Sequence, residues 1–171
     1  MGWLRSLFRP PPVVGIATET LDFVLAAAAD THPNEYMGML RGVPAGSLDV
    51  DRDGVVITDV LVIPGTRSNS VSATVKTRMI PTDVRTAGSV HSHPSGALRP
   101  SDADLKTFGR GQVHIIVGAP YRRRDWRAFD STGSPRDLDV LDVDIPDPES
   151  FFDFDQADID AELKREGRPR W

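Results

Sequence analysis

Apolar residues recur at helical spacing near the start of the chain and at strand spacing in several later segments. The apolar stripe within Leu21–Ala28 predicts a first helix from Thr18 to about His32, and Thr18 is a residue type that can cap its start. Runs of β-branched or alternating apolar residues predict strands, which are Met37–Arg41, Val55–Pro64, Ser68–Ile80, Ala87–His91, Val113–Gly118, Asp125–Phe129 and Leu138–Ile145.

A second, shorter helix is predicted over Asp102–Arg110. The stretch Val43–Gly54 contains Pro, Gly and three Asp residues, so it is expected to be a loop or a hairpin tip. Together these elements predict an α+β domain with a central, mostly antiparallel β-sheet flanked by helices.

The chain has 171 residues, which fits a single domain with its own core. We expect residues 1–12 to be an apolar and basic extension, residues 13–145 to be the domain, and residues 146–171 to be an acidic tail. The first nine residues could contact a membrane surface or a partner, but a poorly ordered or locally packed end is favoured. The tail is expected to be solvated, with a docking or regulatory segment as the alternative.

The charged residues have an unusual composition, with Asp favoured over Glu and Arg favoured over Lys. Of the 25 acidic residues 20 are Asp, and of the 20 basic residues 17 are Arg, giving a formal net charge of −5. An Asp-rich, Lys-poor surface stays hydrated in concentrated salt, where repulsion between like charges is screened. This indicates a salt-loving archaeal source, although GC-rich codon usage also favours Arg over Lys.

Some classes of protein are disfavoured by composition. The chain has no Cys, so disulfides and thiolate metal ligands are excluded. It has no apolar run long enough to cross a membrane, and its acidity argues against nucleic acid as the main partner. We expect a cytoplasmic protein.

The most informative chemistry lies in the stretch His91-Ser92-His93-Pro94 and in Asp104, further along the chain. Side chains at positions i and i+2 of a strand project from the same face, so His91 and His93 are expected to point the same way. Two imidazoles and one carboxylate are the ligand set of a catalytic zinc site, whose fourth position is left for water.

A hydrolytic site also needs a general base, and Glu35 is the candidate. It precedes the short apolar strand at Met37, in which Gly38 and Gly42 permit close backbone approach. The alternative for Glu35 is a surface acid near a turn.

These residues together resemble the JAMM (MPN+) zinc metalloprotease family, also known as Mov34/JAB. The resemblance rests on Glu35 within E-x-x-G-x-L-x-G, on His91-x-His93-Pro94 and on Ser101-x-x-Asp104, and it covers roughly Val14 to Ile145. It implies a cytidine-deaminase-like fold, a Zn²⁺ cofactor and isopeptidase activity. The short connections around the motif resemble the compact archaeal desampylases, which implies conjugates of small ubiquitin-like modifiers as partners.

The resemblance also implies that Ser101 stabilises the oxyanion. Ser101 and Asp104 have a second interpretation, however, because Ser101-Asp102-Ala103-Asp104 fits a helix capping box. We favour a shared role, in which the start of the helix positions Asp104 on the metal. Asp102 is the nearest alternative acid and is expected to support the first helical turn.

Other polar residues are weaker candidates. Arg99 is proposed to contact a substrate tail, with a solvated loop arginine as an equal alternative. The basic stretch 121–124 could receive an acidic patch of the modifier or could simply be a turn. His114 is expected to be a core or edge histidine and His32 to lie at the helix end. A modifier tail is expected to lie along an exposed strand edge beside the site.

Two other functions stay open. The chain could be a non-catalytic MPN-type interaction scaffold. Alternatively, it could be a hydrolase of this family that acts on sulfur-carrier precursors or small peptides.

Overall fold

The computed structural model describes residues 10–62, 86–109 and 111–145. The extension 1–9, the predicted strand Ser68–Ile80 and the acidic tail lie outside the described residues. The described elements, in chain order, are strand β1 (Val13–Ala17), helix α1 (Thr18–Thr31), β2 (Met37–Pro44), a 3-10 helix (Ala45–Leu48), β3 (Val55–Val62), β4 (Thr86–His93), helix α2 (Asp102–Thr107), β5 (Val113–Gly118), β6 (Trp126–Phe129), β7 (Pro135–Arg136) and β8 (Asp139–Leu141).

The strands form one eight-stranded sheet in the order β7-β6-β5-β4-β2-β3-β1-β8. The pairs β2–β3, β2–β4, β5–β6 and β6–β7 are antiparallel. The pairs β1–β3, β1–β8 and β4–β5 are parallel. The α+β class is therefore confirmed, and the sheet is mixed, with antiparallel pairs in a small majority among the described strands.

The sheet is curled, so that its two ends approach each other. Strands β7 and β8 are neighbours in sequence but lie at opposite ends of the strand order. Arg136 of β7 donates hydrogen bonds to the carbonyl oxygens of Gln112 and of Val13, the first residue of β1. Gln112 in turn donates to the carbonyl oxygen of Pro11 at 2.7 Å. These side chains link the two ends of the sheet.

Helix α1 covers one face of the sheet. The predicted apolar stripe is confirmed, because Leu21, Val24, Leu25 and Ala28 are all buried. They pack in the main core against strand residues that include Leu40 and Val90. Thr18 does not cap the helix as predicted. The N-cap is Ala17, and the Thr18 hydroxyl donates instead to the carbonyl oxygen of Leu141 on β8.

Several predicted boundaries shift for identifiable reasons. Strand β2 continues beyond Arg41 to Pro44 across a bulge at Arg41/Gly42, and a Cβ at position 42 would lie 2.4 Å from the Val56 carbonyl oxygen, so the close approach expected at Gly42 is confirmed. The prediction of a loop or hairpin tip over Val43–Gly54 was therefore partly wrong, since this segment begins as part of strand β2 and continues as a 3-10 helix.

The last predicted strand shrinks to β8, which pairs in parallel with β1. Neither β1 nor β7 was predicted. Strand β1 pairs with β3 and β8, which are far away in sequence, and β7 is only two residues long. None of the described helices is long and apolar enough to span a membrane.

Candidate active site

Strand β4 carries both candidate histidines to the face of the sheet opposite the main core. Val90, which alternates with His91, is fully buried in the core beneath α1, so His91 and His93 point the other way. The strand extends through His93, two residues further than predicted. It is an interior strand, paired with β2 on one side and with β5 on the other.

Asp104 reaches the same place from helix α2. Ser101 is the N-cap of this helix and Asp104 is its third residue, and the two form the predicted capping box. The Ser101 backbone N–H and hydroxyl both donate to Asp104 Oδ2 at 2.7 Å, and the Asp104 N–H donates to the Ser101 hydroxyl at 3.2 Å. These bonds fix the carboxylate at the first turn, whereas the neighbouring Asp102 is exposed.

The two histidines converge on this carboxylate. His91 Nδ1 lies 3.1 Å from Asp104 Oδ1, and His93 Nε2 lies 3.2 Å from Asp104 Oδ2. His91 and Asp104 are each only 7% exposed. The structure therefore brings together the three side chains predicted as metal ligands.

The fit of this arrangement to a metal ion depends on its spacing and on its donor chemistry. The side chains contact one another directly, and among the described residues no three His, Asp or Glu side chains are already spaced as a metal-holding group. The donor chemistry nevertheless fits. The two nitrogen-to-oxygen distances are close to the roughly 3.3 Å that separates two ligands of a tetrahedral zinc ion. Two imidazoles and one carboxylate are the donor set that would hold such an ion.

The protonation states favour metal binding. Burial lowers the pKa of His91, although the nearby Asp104 carboxylate opposes this effect. Burial works to raise the pKa of Asp104. The hydrogen bonds from Ser101 and the electrostatic effect of the two histidines outweigh burial, so the pKa of Asp104 is lowered overall. A neutral imidazole beside an ionised carboxylate is the form in which both groups bind metals.

The rings of both histidines are held by neighbouring groups. His93 Nδ1 lies 2.8 Å from the carbonyl oxygen of Ala97, which favours a proton on that nitrogen and leaves Nε2 facing Asp104. The His91 ring contacts Phe108 edge-on, with centroids 6.5 Å apart. Phe108 also stacks on His114, with centroids 4.1 Å apart.

Glu35 lies beside β4 because β2 pairs with β4. Met37 is opposite His91 in the antiparallel register, and the Ser92 N–H donates to the carbonyl oxygen of Tyr36 at 2.9 Å. Glu35 is the residue that immediately precedes Tyr36. Its negative charge acts on His91, where it raises the pKa. The residue itself is exposed to solvent.

The weaker candidates lie around the site without joining it. Arg99 is an exposed residue of the loop between β4 and α2. The basic stretch 121–124 forms a turn after β5, in which Arg123 pairs with Asp22 of α1. Within the described residues, the sheet edges are β7 and β8. The strand edge expected beside the site is therefore not found on β4.

Four further residues around the site were not identified as parts of it from the sequence. His114 is fully buried, and its Nδ1 lies 2.8 Å from the Ser89 hydroxyl on β4. Burial and the nearby His91 lower the pKa of His114 to about 4. Phe108 links it to His91, and Ser92 binds the backbone next to Glu35. A serine between two candidate ligands was the one available sequence signal, while the other contacts depend on β4–β5 pairing.

Comparison with known proteins agrees with this fold. The sequence model of the halobacterial JAB/MPN domain proteins matches residues 13–150. A protein of Haloferax volcanii described as a probable metalloprotease is 65% identical over 159 residues, which is 93% of this chain and 99% of that protein.

Solved structures show the same relationship. A JAB1/MPN domain protein from Archaeoglobus fulgidus superposes with a TM-score of 0.58 at 28% identity, covering 75% of this chain and 100% of that one. A structure presented as JAMM, a metalloprotease-like zinc site in the proteasome and signalosome, gives a TM-score of 0.54 at 29% identity, covering 76% of this chain and 99% of that one.

The fold and the site together define a JAMM-type, metalloprotease-like protein. This chain belongs to the halobacterial JAB/MPN domain protein family. Its relatives connect this chain to the metalloproteases. Enzymes of that class require a metal cofactor.

Proposed function

We propose that the protein is a zinc-dependent isopeptidase. It hydrolyses the amide bond between the C-terminus of a small ubiquitin-like modifier and a lysine side chain of the conjugated protein. The observation that carries this proposal is the contact of both His91 and His93 with the buried Asp104 carboxylate. The negative charge of Glu35 also acts on His91.

His91, His93 and Asp104 are the residues that would hold the Zn²⁺ ion. Zinc supplies Lewis acidity, which brings the pKa of a water to about 7 and polarises a carbonyl. The chain's own contribution is to keep His91 neutral by burial and to keep Asp104 ionised through the Ser101 hydrogen bonds. Both effects keep the ligand set ready near neutral pH.

Glu35 is proposed as the general base and acid. Its carboxylate takes a proton from the attacking water as the carbon–oxygen bond forms and the carbonyl oxygen becomes an oxyanion. It then delivers this proton to the lysine nitrogen as the carbon–nitrogen bond breaks.

Ser101 is proposed to steady the oxyanion with its hydroxyl. Such donors typically contribute about 10²–10³-fold in rate. The hydroxyl donates to Asp104 Oδ2 in the structure. It would therefore have to turn from the carboxylate toward the substrate oxygen during the reaction, while its backbone N–H keeps Asp104 in place.

The substrate assignment rests on the family and is tested directly. Purified protein is incubated with a modifier linked to a lysine by an isopeptide bond, with a linear modifier fusion and with short peptides, and products are identified by mass spectrometry. We expect release from the isopeptide conjugate, loss of release on chelation, and recovery on adding Zn²⁺. Cleavage of the linear fusion or peptides alone would instead support the precursor-processing alternative.

Glu35→Gln tests the mechanism, with Glu19→Gln as its matched control. Glu19 is an exposed acid in the first turn of α1, on a different element from every site residue. We expect Glu35→Gln to abolish release without loss of bound zinc, and Glu19→Gln to behave as wild type. Activity that survives both chelation and Glu35→Gln would rule out the mechanism. Natively purified protein without zinc and without activity would favour the scaffold alternative.

A further inference from the structure

A second group of polar residues lies behind the site, on the opposite face of the sheet. Ser92 stands between His91 and His93 in sequence, but it is fully buried. Its hydroxyl accepts a hydrogen bond from the Tyr36 N–H at 2.7 Å, and its own N–H donates to the Tyr36 carbonyl oxygen at 2.9 Å. Tyr36, the residue that follows Glu35, is thus bound at its N–H by the side chain of Ser92 and at its carbonyl oxygen by the backbone of Ser92.

The Ser92 hydroxyl also acts on Tyr121. A side-chain hydrogen bond from Ser92 lowers the pKa of the Tyr121 phenol, against the larger effect of burial, which raises it. The Tyr121 hydroxyl also lies 3.2 Å from Nδ1 of His32, and the two rings meet edge-to-face with centroids 5.9 Å apart. Tyr121 therefore contacts His32 directly and is influenced by Ser92, whose hydroxyl binds the backbone beside Glu35.

Tyr121 occupies an unusual backbone position. Its φ angle is +61°, in the left-handed region that favours glycine, and it follows the cis peptide bond between Ala119 and Pro120. Its N–H donates to the Gly118 carbonyl oxygen at 2.8 Å, and its ring packs against the main core. A tyrosine held where glycine would be easier indicates that this side chain has a role.

Glu35 is the site residue that most needs such support. It lies in the segment between α1 and β2, outside any helix or strand, and its preceding neighbours from His32 to Asn34 are exposed. The other site residues are fixed by strand β4 or by the capped start of α2. A displacement of about 1 Å in a reacting group can lower a rate by about 100-fold.

We propose that Ser92 and Tyr121 are positioning residues that hold the Glu35 backbone, and through it the Glu35 carboxylate, in register with the metal ligands. This inference rests on the proposed function of Glu35 as general base. It assigns a mechanistic role to the basic turn after β5, where sequence alone left docking and a plain turn equally open.

Three variants and one control test the inference. Tyr121→Phe removes only the phenolic oxygen, Ser92→Ala removes the hydroxyl, and the double variant removes both. Ser47→Ala is the control, because the Ser47 hydroxyl, in the 3-10 helix that follows the far end of β2, also makes a 2.7 Å hydrogen bond to the backbone, donating to the Pro44 carbonyl oxygen. For each variant we would measure kcat, KM, zinc affinity by chelator competition, and hydrogen exchange of the Tyr36 amide by NMR.

We expect both single variants to lower kcat about 10-fold or more, with KM and zinc affinity within about twofold of wild type. Exchange of the Tyr36 amide should accelerate at least about 10-fold in Ser92→Ala, and less in Tyr121→Phe. The double variant should be no slower in turnover than Ser92→Ala, because both changes break one connection. Ser47→Ala should match wild type in every site measurement.

Wild-type kcat in Tyr121→Phe would overturn the inference, and this variant decides alone if Ser92→Ala does not fold. A loss of zinc affinity that accounts for the lower kcat would also overturn it, since the residues would then act on the ligands. Amide exchange is measured independently of turnover. An inactive wild-type protein would therefore contradict the proposed function. Unchanged exchange of the Tyr36 amide in both variants would contradict only the positioning role of Ser92 and Tyr121.

Discussion

Ser101 and Asp104 hold each other through three hydrogen bonds, two of which end on the same carboxylate oxygen, Asp104 Oδ2. This oxygen also lies 3.2 Å from His93 Nε2. The start of helix α2 and the candidate metal site therefore share one atom. The stability of this helix start and the geometry of the site therefore depend on the same residue. Substitutions at Ser101 should change both the free energy of unfolding and turnover, and the two effects can be measured separately.

Ser101→Ala is expected to lower turnover by about 10²–10³-fold, because it removes the proposed oxyanion donor. It should also lower the free energy of unfolding by about 1 kcal/mol, because the N-cap is lost. Ser101→Gly is the matched control, since glycine at an N-cap costs only a few tenths of a kcal/mol. Turnover should fall equally in both variants while stability differs. Turnover that follows stability would mean that Ser101 is only a cap.

Gly88→Ala should strongly destabilise the protein. A Cβ at position 88 would lie 1.6 Å from the Val113 carbonyl oxygen, so strands β4 and β5 would have to separate. We expect a loss of at least about 3 kcal/mol in urea unfolding. At Gly46 an added Cβ meets nothing within 4 Å. Gly46→Ala should therefore leave stability nearly unchanged, and a loss below about 1 kcal/mol for Gly88→Ala would contradict the β4–β5 pairing described here.

His114 should make folding stability depend on pH. Burial and the nearby His91 lower its pKa from 6.5 to about 4, so between these values the unfolded chain binds a proton that the folded protein excludes. Its contribution to stability is complete above about pH 6.5 and is lost progressively toward about pH 4, by up to roughly 3 kcal/mol.

The measurement is urea unfolding across this pH range for wild type and His114→Asn. Asparagine keeps a polar group near Ser89 but does not titrate. The variant should be less stable at neutral pH and should show a shallower loss of stability in acid. Parallel curves for the two proteins would show that His114 titrates normally in the folded state.

The Asp-rich composition predicts stabilisation by salt. Twenty Asp residues and a net charge of −5 create repulsion that molar KCl screens. We expect the melting temperature to rise by several degrees from low to molar KCl, equivalent to about 1–2 kcal/mol. The relative in Haloferax volcanii is consistent with adaptation to salt. A melting temperature that does not respond to KCl would instead favour GC-rich codon usage as the origin of the composition.

Much of this protein could be predicted from local sequence patterns. The buried stripe of α1, the capping box at Ser101 and the common face of His91 and His93 each depend on spacing within a few residues. Helical and strand periodicity carry that information directly. The choice of His, Asp and Glu as chemical groups was equally visible, which is why the family resemblance could be found before the fold.

The tertiary structure decided which of these groups meet. Strand order places β2 beside β4, so the segment that carries Glu35 lies next to residues more than 50 positions away. Pairing of β4 with β5 buries His114 under Phe108, and a left-handed backbone at Tyr121 accompanies its contact with His32. Local patterns do not specify such contacts, because they depend on which strands pair and in what register, and that is settled by packing across the whole sheet.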